Sequence, residues 1–277
     1  MSAPVVVAAE EAANPLTHGI EKLLHELSVL PLKGDHLAVA DSFNPGSFTL
    51  TNYMFWMIVA FILLALFFIL ASRKAKLVPS GLYNIAEAGV SFVRDSLCVD
   101  VMGPEGLKYF PFIGTVFFFV LFNNLLGNIP PALPGTGTVG TTFLWGIIVF
   151  VVYNGIGIKK SGLVPYVKSF VPSGTPAVMA PLIFLLEIVS HLLRPFTLGI
   201  RLFANMYAGH IMLGVFAVFM AVAIEGFSAT SAVVLPLSFL MQVILRAFEL
   251  FVAVLQAYIF SILTAVYING ALHQAEH

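Results

Sequence analysis

The sequence predicts an all-α integral membrane protein: three separate apolar spans, an amphipathic helix on the membrane surface, and two very long apolar stretches. Three observations predict it. Of 277 residues 59% are hydrophobic and only 10% charged, against about 25% charged in a soluble domain. A surface so poor in charge faces lipid or apolar protein. Several runs reach the roughly 20 apolar residues that a spanning helix needs, and the basic residues between them fall on one side.

Residues 1–48 read as an extracytoplasmic segment and 49–277 as the helical membrane domain. The first span, about 50–72, is closed by Arg73, Lys74 and Lys76. Such a cluster marks the cytoplasmic end of a span, so the N-terminal segment lies outside. Over 80–98, Leu82, Ile85, Ala86, Val90, Val93 and Leu97 recur at helical spacing beside Glu87, Arg94 and Asp95. That mixture fits a helix lying in the interface rather than across it.

The second span, about 110–130, leads into the uncharged Pro- and Gly-rich loop 131–140. The third, about 141–158, returns to Lys159, Lys160 and Lys168. The last stretches, 177–225 and 231–268, are too long for a simple span. At about 1.5 Å per residue, the first would reach roughly 70 Å against a hydrocarbon core of about 30 Å. Each stretch could be two short spans, with breaks at Pro195–Gly199 and around Gly209–Gly214, or one steeply tilted helix. Hydropathy does not choose.

Composition also excludes classes. A net charge of −1 leaves no basic field for nucleic acid, and the single cysteine, Cys98, rules out an internal disulfide and reads as a buried thiol. Residues 1–9 lack a basic n-region, so no signal peptide is expected. No metal cluster, phosphate loop or nucleophile–base motif is present in the sequence, and neither cofactor nor enzymatic centre is expected.

Ionisable groups at membrane depth are functional candidates because each costs at least about 2.5–3.5 kcal/mol to insert. The stretch 177–225 holds Glu187, Ser190, His191, Arg194, Arg201, Asn205 and His210. Glu187, Arg194, Arg201 and Asn205 fall within about 80° on one helical face, whereas His210 lies opposite Arg201. Ser238, Gln242, Arg246, Glu249 and Gln256 form a second stripe. If the two stretches form an antiparallel hairpin, residues at equal depth share a constant index total. Arg201 and Gln256 total 457, and His210 and Glu249 total 459. Arginine then stands level with glutamine, and histidine with glutamate.

Simpler readings stand beside these. Arg194 and Arg246 suit packing pairs with Glu187 or Glu249, and Ser190 and His191 suit hydrogen bonds between helices. Glu187 fits either a pathway group or a structural partner. Two polar seams in apolar sheaths point to an internal ion route. A secondary transporter is the alternative, but transporters are built from repeats with paired broken helices, and the chain shows no repeat. A purely structural scaffold leaves the two polar stripes unexplained.

The run Leu198-Gly199-Ile200-Arg201-Leu202-Phe203-Ala204-Asn205-Met206-Tyr207-Ala208-Gly209-His210 closely resembles the signature of subunit a of F-type ATP synthases. Leu255-Gln256-Ala257-Tyr258-Ile259-Phe260 resembles that family's second signature, and Asn124-Leu125-Leu126-Gly127 with Ile129-Pro130 a third, weaker one. The likeness runs from about residue 50 to the C-terminus. It implies about five transmembrane helices, the last two long and strongly tilted, cradling a ring of c subunits. It implies as partners the c-ring proteolipids, peripheral-stalk b subunits, other ATP synthase subunits and membrane lipid. The implied location is a bacterial plasma membrane.

By the same resemblance Arg201 matches the essential arginine facing the ring carboxylate. Asn205 and Gln256 match its polar neighbours, and Glu187 an acid on the cytoplasmic access route, with Ser190 beside it. Many bacterial members carry Glu where this chain has His210 and His where it has Glu249, so the acid–imidazole pair is kept with its helices exchanged. The implied activity is proton translocation through two offset half-channels, coupled to ATP synthesis, by a subunit with no catalytic centre of its own.

Overall fold

A computed structural model of the chain describes residues 52–73, 81–129, 132–171, 175–176, 178–225 and 231–273. The expected N-terminal segment, Lys74 and Lys76, and the break around Ser228–Thr230 lie outside the described residues. Every regular element among the described residues is helical. Among the described residues five helices are long and apolar enough to cross a membrane. They are α1 (Asn52–Ser72), α3 (Phe110–Gly127), α4 (Val139–Ser161), α6 (Ala180–Glu225) and α7 (Ser231–His273), with α2 (Leu82–Phe92) and α5 (Leu163–Lys168) between them.

The two long stretches are each one unbroken helix of 46 and 43 residues. Pro195 sits inside α6 and Pro236 near the start of α7. Pro195 has no N–H for the His191 carbonyl, a loss that kinks or breaks many helices, yet α6 continues through it. A 46-residue helix is about 69 Å long, and only a steep tilt keeps it within a hydrocarbon core of about 30 Å. Helix α7 runs to His273, past the expected end at 268, because Asn269 and Gly270 lower hydropathy without stopping the helix.

The chain forms two compact units. The larger comprises Leu50–Ala204 and the segment from Val252, and its core is built on α3. Phe117, Phe118 and Phe119 stand among Val93, Leu97, Leu198, Leu202, Phe260 and Ile268. Phe68 of α1 meets Phe118 edge-on at 4.9 Å. Small residues let backbones approach where water-driven burial is absent. A Cβ on Gly146 of α4 would stand 2.5 Å from the Pro195 carbonyl oxygen, and one on Gly199 would stand 3.1 Å from that of Thr142. Helices α4 and α6 therefore meet backbone to backbone at the proline.

Amphipathic α2 leaves Leu82, Ile85 and Phe92 exposed. It passes into a π-helical turn, Val93–Val99, which buries Val93, Leu97 and Cys98. Burial pushes the Cys98 thiol up to about 11. On its wet side Arg94 donates to Asp95 at 2.8 Å, and that bond holds the Asp95 carboxyl below its usual range. The loop after α3 folds inward, where Thr136 donates to the Asn124 side-chain oxygen at 2.7 Å and Asn124 reaches the Ala253 carbonyl of α7 at 3.4 Å. The smaller unit includes Asn205–Phe251, the second half of α6 and the first half of α7.

Candidate ion pathway

In the larger unit α6 carries Glu187, Ser190, His191, Arg194 and Arg201. Arg194 reaches back two turns and donates to Glu187 Oε1 at 3.2 Å. Helical side chains lean toward the N-terminus, which favours this reach. The guanidinium also lies over the Tyr267 ring of α7, 5.5 Å from its centroid, within cation–π range. The packing pair expected of Arg194 is therefore present, with an aromatic support that the spacing did not reveal.

His191 is buried among Phe150, Tyr153 and Phe170. Its Nε2 lies 2.7 Å from Asn154 Oδ1 and 3.2 Å from the Tyr153 hydroxyl. Asn154 Oδ1 also accepts from Tyr166 at 3.0 Å. An amide oxygen only accepts, so the assigned amide orientation places the imidazole proton on Nε2. This is the helix-to-helix bond expected of His191. Its partners on α4 and α5 were not singled out from the sequence, although Asn154, a polar residue within an apolar span, was the available signal.

Ser190 is exposed. With Arg194, Thr197, Leu186, Val189 and Leu193 it lines a groove of about 370 Å³ along α6. One turn beyond Thr197 stands Arg201, also exposed, between exposed Phe196, Ile200 and Ala204. The inner side of the same turn is closed: Leu198 and Leu202 are 2% and 0% exposed. Among the described residues Arg201 makes no ion pair and no hydrogen bond. Gln256 of α7 is buried in this unit.

In the smaller unit Asn205 and His210 are half-buried and Glu249 is 5% exposed. Arg246 Nη1 lies 3.7 Å from Glu249 Oε2. Glu249 Oε1 lies against Gly209, where a Cβ would stand 2.8 Å away. Among the described residues neither Glu249 oxygen nor His210 Nε2 has a hydrogen-bond partner. Gln242 donates to the Leu213 carbonyl at 3.4 Å. The contacting pairs Gly209–Glu249 and Leu213–Gln242 total 458 and 455, the antiparallel register that the index argument predicts for this hairpin.

Among the described residues no three His, Cys, Asp or Glu gather as a metal site. The larger unit offers an exposed fixed cation and a groove with hydroxyls; the smaller unit, taken by itself, offers a buried acid beside a histidine-bearing turn. These groups can hold an anion and pass protons.

Residues 54–269 match the family model of the ATP synthase A chain. The chain is 45% identical to ATP synthase subunit a of Hyphomonas neptunium over 227 residues, 82% of this chain and 88% of the relative. It is 43% identical to that of Pelagibacter ubique over 226 residues, 80% and 88% of the two chains. Over 258 residues it is 37% identical to that of Parvibaculum lavamentivorans, covering 90% and 93%.

Proposed function

Because this chain belongs to the ATP synthase A chain family, we propose that it is the stator subunit that carries protons through the ATP synthase membrane sector. In this reading it forms two offset half-channels against a rotating ring of c subunits and couples proton flow to ATP synthesis. It has no catalytic centre of its own. The observation that carries the reading is Arg201, an exposed guanidinium on an apolar helix face with no partner among the described residues. A bare charge in hydrocarbon is costly, so its counter-charge comes from another protein. A ring carboxylate supplies one.

That carboxylate must be neutral while it faces lipid and ionised while it exchanges its proton through water. Arg201, protonated at any working pH, holds the ionised form and bars direct passage between the half-channels. His210 and Glu249 serve the outer access route, since histidine exchanges protons near ambient pH. Glu187 and Ser190 serve the inner one. Asn205 and Gln256 line the passage as neutral polar groups.

The partners are the c-ring proteolipids, peripheral-stalk b subunits and the remaining ATP synthase subunits. The site of action is a bacterial plasma membrane, in keeping with the bacterial relatives. The first span ends inside at Arg73, so residues 1–48 lie outside and the C-terminus inside. Purification in mild detergent tests the assignment: a small two-helix proteolipid must accompany the chain. Recovery of the chain as a lone, solute-transporting protein would overturn it.

A further inference from the structure

We propose that Arg194 is a positioning residue for proton exchange at Glu187; the inference rests on the half-channel reading above. Residues seven apart on a helix share a face but stand about 10.5 Å apart along the axis. The pair forms only because both side chains stretch along α6. The 3.2 Å bond ties one carboxylate oxygen, Oε1, and leaves Oε2 as the oxygen that exchanges. Tyr267 fixes the other end of the pair through its ring face.

Both members are about a third exposed, at 27% for Arg194 and 35% for Glu187. Neither group is sealed in the core, so in the half-channel reading the pair meets the water of the inner route, unlike a core ion pair. Arg194 also lines the groove that holds Ser190 and Thr197. It thus borders the path a proton follows from the groove to Glu187.

The proton balance is simple. A proton released by a ring carboxylic acid arrives through the groove and binds Glu187 Oε2, giving a neutral carboxyl beside Arg194. It then leaves from the same oxygen to water on the inner side, restoring the pair. Arg194 gains and loses nothing. Its work is to keep the acceptor oxygen facing the groove, and Tyr267 keeps Arg194 from swinging away.

The test uses the assembled complex in vesicles and reads ATP-driven proton pumping per complex, with passive proton permeability measured alongside. Arg194→Met keeps the side chain's bulk and removes the charge. It should slow pumping about fivefold with the amount of complex and the passive permeability unchanged. Arg194→Lys restores charge and reach and should regain at least half of the rate.

Tyr267→Leu removes the ring face and should match Arg194→Met, whereas Tyr267→Phe should keep at least half of the rate. These two variants decide the matter if Arg194→Met fails to assemble. Parental pumping in Arg194→Met, or a lysine no better than methionine, would overturn the proposal. Arg201→Ala runs in parallel: if it abolishes coupled pumping while Arg194→Met is normal, this inference fails alone. If Arg201→Ala pumps normally, the half-channel reading itself fails.

Discussion

Glu249 fills the space that a side chain at Gly209 would occupy. An added Cβ would stand 2.8 Å from its Oε1 and 3.3 Å from its Cδ. Alanine at 209 is a better helix former than glycine by about 1 kcal/mol, so Gly209→Ala should leave α6 intact and displace the carboxylate instead. A misplaced reacting group loses rate steeply. Coupled proton pumping per assembled complex should fall roughly tenfold. A variant that assembles and pumps normally would show that the position of Glu249 does not matter.

His210 and Glu249 should act as one unit. Either change to Ala should slow proton-driven ATP synthesis, and the double exchange His210→Glu with Glu249→His should recover part of it. The register of the α6–α7 turns at 209–213 and 242–249 supports this. A double exchange no faster than the slower single variant would argue against any interaction. Asn205→Ala and Gln256→Ala should be milder, because water can replace a neutral polar group in a wet channel.

Arg201→Ala should abolish both ATP synthesis and ATP-driven pumping while the complex still assembles. It should also raise passive proton leak, because the barrier between the two routes is gone. Arg201→Lys should remain largely uncoupled, since a compact ammonium lacks the planar fork. Proton flux in vesicles reads all three effects, and near-normal coupling in Arg201→Ala would remove the basis of the mechanism.

Cys98 should resist thiol reagents in the native complex. It is fully buried, and with its thiol pushed to about 11, only about one molecule in 10,000 carries the reactive thiolate at pH 7. The thiolate fraction rises about tenfold per pH unit until the pH passes 11, so any labelling should climb steeply with alkalinity. Rapid maleimide labelling at neutral pH would contradict the packing of the Val93–Val99 turn. That inertness lets introduced cysteines report topology: Thr17 and Gln274 should label from opposite faces.

Much of the fold was legible because apolar length and basic closure are local signals. Arg73 and Lys159–Lys160 mark ends within a residue or two of those of α1 and α4. The hairpin register was legible as well, since helices keep a constant rise and Gly209 meets Glu249 where the index total requires. Helix continuity at Pro195 was legible only through the family resemblance, because hydropathy is blind to whether a proline interrupts or merely dents a helix. The support under Arg194 was not legible. Tyr267 lies 73 residues away, and only packing brings its ring beneath the guanidinium. Tyr153 and Tyr166 escaped notice because each looks ordinary in its own helix; Asn154, polar within an apolar span, was the one visible signal, and the three become a set only around His191.

The continuity of α6 from Ala180 to Glu225 has a consequence for parity. Among the described residues, counting each long helix once gives five candidate crossings; splitting both, as a 20-residue window invites, gives seven. Both counts are odd, so both put the chain's ends on opposite faces, and labelling at Thr17 and Gln274 cannot tell them apart. The segment joining α6 to α7 can. A cysteine in place of Ser228 faces the outside after four crossings and the inside after five. Only its labelling from the outer face agrees with an unbroken α6.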